Sequence, residues 1–492
     1  MCAVNLRMQT PSSPRAWGCG LAIQMDACVC GNDAPAYSRN RSNGPNTQQV
    51  AVIGAGWAGC TAAVELTAAG HQVTLFEASR QLGGRARRVD INELTLDNGQ
   101  HILLGAYTDS LRMMRKVGID PAAAMLRLPL QMCYPAESGG MTFVAPRLPA
   151  PLHLLLALWR ANGLKREDKL ALARFSSAAR WMGWQLHDDC SVSILLERFD
   201  QTDRLIRLLW RPLCIAALNT RPEQASAQVF LAVLRDSLGA RRSASDMLLP
   251  RLDLSSLYPQ QAAAFIEERG GNLESGCSIR QLRRHGAHWQ LDSSDARLDF
   301  DAVIIATPPE SAAGLLTGIA DATLVAQLRN FDYEPITTCY LQYTNATRLP
   351  HPLFALIDTP AATTPSDVPA WGQFVFDRGQ LDPAQAGLLA VVISASSDAI
   401  QSGHQALAQA VAAQLASAFK QPHLASPIWS RVISEKRAAF ACTPALARPT
   451  NDSGLERLLL AGDYTASEYP ATLEAAVRSG KLAAQELIKQ LR

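Results

Sequence analysis

The 492-residue chain has no stretch of about 18 uninterrupted apolar residues, the minimum for a helix that spans a bilayer. Its first residues lack the compact apolar core and small-residue cleavage pattern of a secretory signal, because Arg7, Arg15 and Asp26 interrupt them. Charge of one sign is scarce: Lys plus Arg number 46 against 44 Asp plus Glu, so no pull toward nucleic acid is expected. Eleven cysteines in this length do not make a disulfide scaffold. Cys60, Cys133, Cys190, Cys214, Cys277, Cys339 and Cys442 stand singly in apolar or ordinary contexts. Cys28-Val29-Cys30, with Cys19 and Cys2, has neither a paired His nor a second knuckle, so no metal site is expected. These absences point to a cytoplasmic protein with reduced thiols, which can still touch a membrane surface.

With 48% hydrophobic and 18% charged residues, the chain can bury a core of two or more lobes. Residues 1–47 read as a disordered tail, with Pro11, Pro14, Pro35 and Pro45 among Ser, Asn and Arg and no sustained period. Order is expected to begin at Val50-Ala51-Val52-Ile53, a β-branched run of the kind buried in a parallel sheet. A helix over Ala58–Ala69, ended by Gly70, and a strand over Gln72–Phe76 closed by Glu77 complete a βαβ unit. Helical patterns dominate from Pro149 to Gly239. Strand signals return at Asp301–Thr307, Thr337–Tyr343, Gly372–Phe376, Leu388–Ser394 and Leu458–Ala461, before a last helix over Leu473–Gln490. The fold class is therefore α/β, with a discontinuous Rossmann-type nucleotide domain (48–120, 251–310, 430–492) and an inserted α+β substrate domain (121–250, 311–429).

Gly54-x-Gly56-x-x-Gly59 follows the first strand and opens the first helix. The first glycine permits the turn, the second lets backbone approach a pyrophosphate, and the third lets helix pack on strand. The phosphates would meet the N–H groups of Trp57 and Ala58 at the positive end of the helix dipole. Glu77 would accept hydrogen bonds from ribose hydroxyls and repel a 2′-phosphate, which favours FAD or NAD over NADP. Three later segments favour FAD: Gly83-Gly84-Arg85, then Gly462-Asp463 for ribityl hydroxyls, then Thr472-Leu473 opening a helix toward the flavin.

At these residues the sequence resembles the superfamily of amine oxidases and phytoene desaturases, two-lobed flavoproteins that grip one extended FAD. That resemblance also implies a strand around Gly276–Ile279, with the backbone of Ile279 near the adenine. Within the superfamily, Leu96-Asp97-Asn98-Gly99-Gln100-His101 through Tyr107 is similar to a block of the hydroxysqualene dehydroxylases. So are Leu209–Asn219, Tyr333–Ile336, Phe376-Asp377-Arg378-Gly379 and Glu435–Phe440, although Ala439 stands where that family is expected to carry Thr.

The resemblance implies reduction of hydroxysqualene to squalene, in hopanoid or squalene biosynthesis. An allylic hydroxyl departs as it is protonated or hydrogen-bonded, hydride quenches the developing cation, and water must be kept out. His101 and Gln100 are the candidates for assisting the departure. The apolar substrate requires a long tunnel, for which Trp159, Trp181, Trp184, Trp210 and Phe230 are candidate walls, core packing being the competing use of each. Pro149–Arg160, followed by Lys165, Arg166 and Lys169, reads either as a buried helix or as one lying on the cytoplasmic face of the inner membrane. No second dinucleotide fingerprint is present, so an external electron donor is expected, and other enzymes of the squalene pathway are candidate partners. Carotenoid desaturation, amine oxidation and non-catalytic isoprenoid carriage stay open on the sequence alone.

Overall fold

The computed structural model describes residues 47–91, 94–239, 241–293, 296–359 and 369–492. The expected tail up to residue 46, with its Cys28-Val29-Cys30, lies outside the described residues.

Strands β1 (Gln49–Ile53), β2 (Gln72–Glu77), β3 (Asn272–Ser275), β4 (Ala302–Ile305), β10 (Asp452–Leu455) and β11 (Leu458–Leu460) form one six-stranded sheet. Their order is β3-β2-β1-β4-β11-β10, parallel except for the terminal β11/β10 pair. β1 sits in the interior because both of its faces are apolar. Val50 and Val52 pack toward helix α1 (Trp57–Ala68), while Ala51 and Ile53 pack toward Phe76, Trp289 and Phe300 on the other side. Side chains that alternate between two cores are what a strand buried on both faces requires.

α1 carries small residues on nearly every side and buries ten of its twelve. It lies so close to the last helix, α7 (Leu473–Gln490), that a Cβ on Gly480 would stand 2.1 Å from the Ala58 carbonyl oxygen. Gly70 ends α1 at φ +92°, a conformation that favours glycine.

Strands β5 (Tyr333–Gln342), β6 (Leu353–Ala355), β7 (Phe374–Asp377), β8 (Leu388–Ser394) and β9 (Trp429–Phe440) form an antiparallel sheet in the order β6-β7-β8-β5-β9. One face packs under a helix at His404–Phe419; the other presents Tyr340, Phe376, Leu388 and Ala390 toward Leu96, Met247 and Leu249. The boundary expected at residue 430 falls inside a strand and needs correction. β9 pairs with β5 from Trp429 to Phe440, so it belongs to the antiparallel sheet and the chain returns to the six-stranded sheet only at β10. A second correction concerns Gly276–Ile279, which is a turn and loop after β3 rather than a strand. The Gly276 and Cys277 N–H groups bond the Ser79 and Glu77 carbonyls across the sheet end, in place of a continued ladder.

Helix α2 (Thr108–Lys116) packs in the core beside α1, and the helical middle contains α3 (Leu152–Arg160), α4 (Arg166–Trp181), α5 (Arg211–Leu218) and α6 (Ala227–Leu234). Phe175, Trp210 and Phe230 pack as an aromatic cluster within it, with ring centroids 4.7 and 6.1 Å apart. Trp159 and Trp181 are not in that core. They stand 73% and 90% exposed at the helix ends, so neither a tunnel wall nor core packing describes them. Among the described residues no helix is long and apolar enough to cross a membrane.

Candidate functional site

At the end of β1 the Gly54 N–H donates to the Phe76 carbonyl at 2.7 Å, and φ is +105°. A Cβ at Gly54 would lie 2.7 Å from the Ala306 carbonyl oxygen, so backbone packing as well as the turn requires glycine there. A Cβ at Gly59 would lie 1.8 Å from the Gly54 carbonyl oxygen, which fixes the spacing of helix and strand. Gly56 is the N-cap of α1, and the first turn has neither a side-chain cap nor an acidic residue. Its N–H groups are therefore available to an anion.

That helix end opens on a cavity of about 1020 Å³. Gly54, Gly56, Trp57, Ala58, Glu77, Gly84, Arg85, Ile279, Gly462, Asp463, Thr472 and Leu473 all line it. So do Gln100 and His101. Gly59 does not; it sits behind the turn and shapes it. Segments from both ends of the chain thus meet at one site, and the fit to a dinucleotide is testable on its walls. The Trp57 Nε1, Gln100 Nε2 and Tyr464 hydroxyl atoms are buried, belong to cavity-lining residues, and have no hydrogen-bond partner among the described residues. Unsatisfied buried polar atoms are costly, and their clustering in cavity-lining residues fits a site built for a polar ligand.

The carboxylate of Glu77 accepts from the Ala55 N–H at 2.8 Å and from the Ser79 N–H at 2.9 Å. Both bonds orient it, and lone pairs remain on each oxygen. Arg85 donates to Asp463 at 2.6 Å and to the Ala438 carbonyl at 2.8 Å, joining residues 378 positions apart. Asn98 ties the Arg85 carbonyl to the Glu435 carboxylate. Arg448, missed in the sequence, donates to the Asp463, Tyr464 and Tyr469 carbonyls and holds the loop before α7 in place. Thr472 caps α7, accepting from the Ala475 N–H at 3.1 Å, while the buried Glu474 accepts from the first N–H groups of α2. The Tyr469 hydroxyl donates to Asp236, and the Arg478 guanidinium lies 4.2 Å from its ring centroid. Tyr469 is therefore a fixed wall of the cavity.

His101 is oriented by a 2.8 Å bond between Nδ1 and the Gly99 carbonyl. A carbonyl only accepts, so Nδ1 carries the proton and Nε2 of the neutral ring is an acceptor. Burial, followed by the nearby Arg85 charge, holds the His101 pKa below the ordinary histidine value, although the Gly99 bond opposes this. The surroundings thus disfavour the protonated ring. Gln100 is different: its Oε1 accepts from Arg378 at 3.1 Å.

Asp97 lies behind this segment and accepts from the Leu254 N–H at 2.8 Å, while its backbone carbonyl accepts from the Tyr340 hydroxyl. Burial pushes its carboxyl up to about 7, against the opposing Arg378 charge. A carboxyl raised in the folded state stabilises the fold at low pH, and that contribution is lost as pH rises from about 4 through 7. Asp97→Asn keeps the acceptor for Leu254 without the charge. Its stability relative to the parent should rise across that window, at a limiting slope of about 1.4 kcal/mol per pH unit. Chemical denaturation at pH 5 and pH 8 measures this; equal differences at both would refute it.

The family model of flavin containing amine oxidoreductases matches residues 57–488. A hydroxysqualene dehydroxylase of Rhodopseudomonas palustris is 30% identical over 458 residues, covering 89% of this chain and 98% of its own. The hydroxysqualene dehydroxylase of Sinorhizobium fredii is 27% identical over 452 residues, covering 89% and 97%. An oxidoreductase from Methanosarcina mazei has the same fold, with a TM-score of 0.67 at 14% identity over 89% of this chain and all of its own.

Proposed function

Because the chain belongs to the flavin containing amine oxidoreductases, and within them to the hydroxysqualene dehydroxylases, we propose that it reduces hydroxysqualene to squalene with loss of the hydroxyl as water. It is an FAD-dependent oxidoreductase. The observation that carries the reading is one cavity running from the glycine turn and the Arg85–Asp463 pair to the apolar side chains of the helical middle. Leu154, Leu155 and Leu158 of α3, Leu172 and Phe175 of α4, and Leu213 of α5 line its far part, with Trp184 and Trp210. Those walls suit a long hydrocarbon, since they offer burial without hydrogen bonds.

Gly54, Gly56, Trp57, Ala58 and the free N–H groups of α1 would hold the pyrophosphate, with Gly59 keeping the turn closed. Glu77 would bind the adenosine ribose, Ile279 the adenine, Gly84 and Arg85 the phosphate side, and Gly462 and Asp463 the ribityl chain. Thr472 and Leu473 would direct the start of α7 at the flavin. Bound and reduced, FAD supplies the hydride. The chain's own contribution is to align the isoprenoid along the apolar walls, keep water from the developing allylic cation, and bind the departing oxygen. His101, neutral and accepting, would orient bound groups rather than protonate them.

Anaerobic incubation of flavin-loaded protein with hydroxysqualene and a chemical reductant should give squalene by mass spectrometry. Turnover only of phytoene or of an amine would sink the reading.

The substrate partitions into lipid, and α3 and α4 supply a surface for meeting it. Leu152, Leu155, Trp159, Leu170 and Trp181 are exposed on these helices. Between Val144 and Trp181 stand seven Lys or Arg residues against two acidic ones, in a chain of net charge +2. Leu154, Leu155 and Leu158 also line the cavity, so the apolar face and the tunnel share a helix. Apolar side chains ringed by cations suit an anionic lipid surface. Replacing Leu155, Trp159 and Trp181 together by Ser should release the protein from anionic vesicles in co-sedimentation while flavin content is kept. Undiminished sedimentation of the triple variant would count against this surface.

A further inference from the structure

We propose that Arg378 and Gln100 form a single device, in which the guanidinium fixes the amide so that its NH2 group is a permanent hydrogen-bond donor to a lone-pair oxygen bound in the cavity. Arg378 lies on the antiparallel sheet side, just after β7, and is 4% exposed. No carboxylate stands within ion-pair distance of it among the described residues. Instead its Nε donates to the Gln385 Oε1 at 2.7 Å and its Nη1 to the Gln100 Oε1 at 3.1 Å. Burying a guanidinium on neutral partners is expensive, and an apolar side chain would fill the same space more cheaply. A purely structural use therefore explains little.

The orientation of the amide follows from chemistry. Arginine has donors and no acceptor, so the Gln100 atom facing it must be the carbonyl oxygen. The NH2 group then points the other way. Gln100 is 9% exposed, lines the cavity, and its Nε2 has no partner among the described residues. A buried donor without a partner, on a residue of the cavity wall, is satisfied when a bound acceptor reaches it. The positive charge behind it polarises the amide and strengthens that bond. On the function proposed above, two bound oxygens qualify: the leaving hydroxyl of the allylic alcohol, and a carbonyl of the flavin ring.

Four holoprotein variants test the device. Gln100→Glu keeps an acceptor for Arg378 and gives the buried cation a partner, yet removes the donor. Gln100→Leu removes both. Arg378→Lys still donates and preserves the amide orientation, whereas Arg378→Met frees the amide to flip. Each is assayed for the absorption spectrum and reduction potential of its bound flavin, and for single-turnover reduction of hydroxysqualene with KM and kcat separated. If the acceptor is the leaving oxygen, Gln100→Glu and Arg378→Met lose roughly 100-fold in kcat with KM and spectrum little changed. If it is a flavin carbonyl, the same variants shift the spectrum and lower the potential. In either case Arg378→Lys restores most of the effect. Wild-type kcat and spectrum in Gln100→Glu would overturn the proposal, as would failure of Arg378→Lys to differ from Arg378→Met. A parent protein inactive on hydroxysqualene defeats the function reading; the flavin spectrum of Gln100→Glu alone then judges the device, a shift supporting it and no shift overturning it.

Discussion

Gly59→Val should purify without flavin and melt far below the parent protein. The added Cβ would meet the Gly54 carbonyl oxygen at 1.8 Å, inside any allowed contact, and the Ala306 Cβ at 3.0 Å. Neither is the far end of a flexible side chain, so β1 and α1 must separate. Overpacking of this kind costs about 3 kcal/mol or more. The consequence for binding is larger than for the fold. Moving α1 withdraws its uncapped N–H groups from the cavity, and Gly59 need not touch the cofactor for this to happen. Gly70→Ala is the comparison, since a Cβ there meets nothing within 4 Å and only its φ of +92° is strained. That substitution should cost about 1 kcal/mol and keep the flavin. Absorbance at 450 nm relative to protein, with a thermal melt, separates the two; a fully loaded Gly59→Val protein would refute the account.

The second large effect is expected from Arg85→Met. Asp463 is 7% exposed, and Arg85 is the side chain paired with it. About a third of the Arg85 side chain opens on the cavity, so the loss should fall near the low end of that for breaking a buried pair, about 3 kcal/mol. The Ala438 carbonyl also loses its donor. Arg85→Met combined with Asp463→Asn should be more stable than Arg85→Met alone, because no buried charge is stranded. Denaturation midpoints of the three proteins test this. If the double variant is the least stable, the pair matters for reasons other than charge.

Much of the nucleotide sheet was legible in the sequence because its signals are local. A short β-branched run, a glycine turn and a closing acid specify β1, α1 and β2 within thirty residues. β4 and β11 are likewise continuous apolar runs, of the kind buried on both faces of a sheet. β9 was not assignable in this way. No strand was read over its twelve residues, because pairing with β5 is decided by a partner almost a hundred positions away, across a register irregularity between Glu334 and Ile336. The site shows the same division. Arg85 and Asp463 each stand in a recognisable motif, yet their mutual bond depends on the whole fold. Arg378 and Glu435 lay in family-like blocks without a role, since neither block says what it faces. Trp159 and Trp181 were misplaced for a further reason. A large apolar side chain is expected to leave water, but both stand exposed at helix ends, where the packing of the chain does not reach them.

β9 is a ruler for one wall of the cavity. Its first residue, Trp429, pairs in the antiparallel sheet, and near its last, the Ala438 carbonyl grips Arg85 while Ala439 lines the cavity. Where Glu435, Ala438 and Ala439 stand beside Arg85 is thus counted out in residues along one strand. Adding a single residue to it would turn the following side chains to the opposite face, and adding two would slide them by about 7 Å. The side chains of this strand can be exchanged one by one, but a change in its length carries the Ala438 carbonyl away from Arg85 and breaks the bond between them.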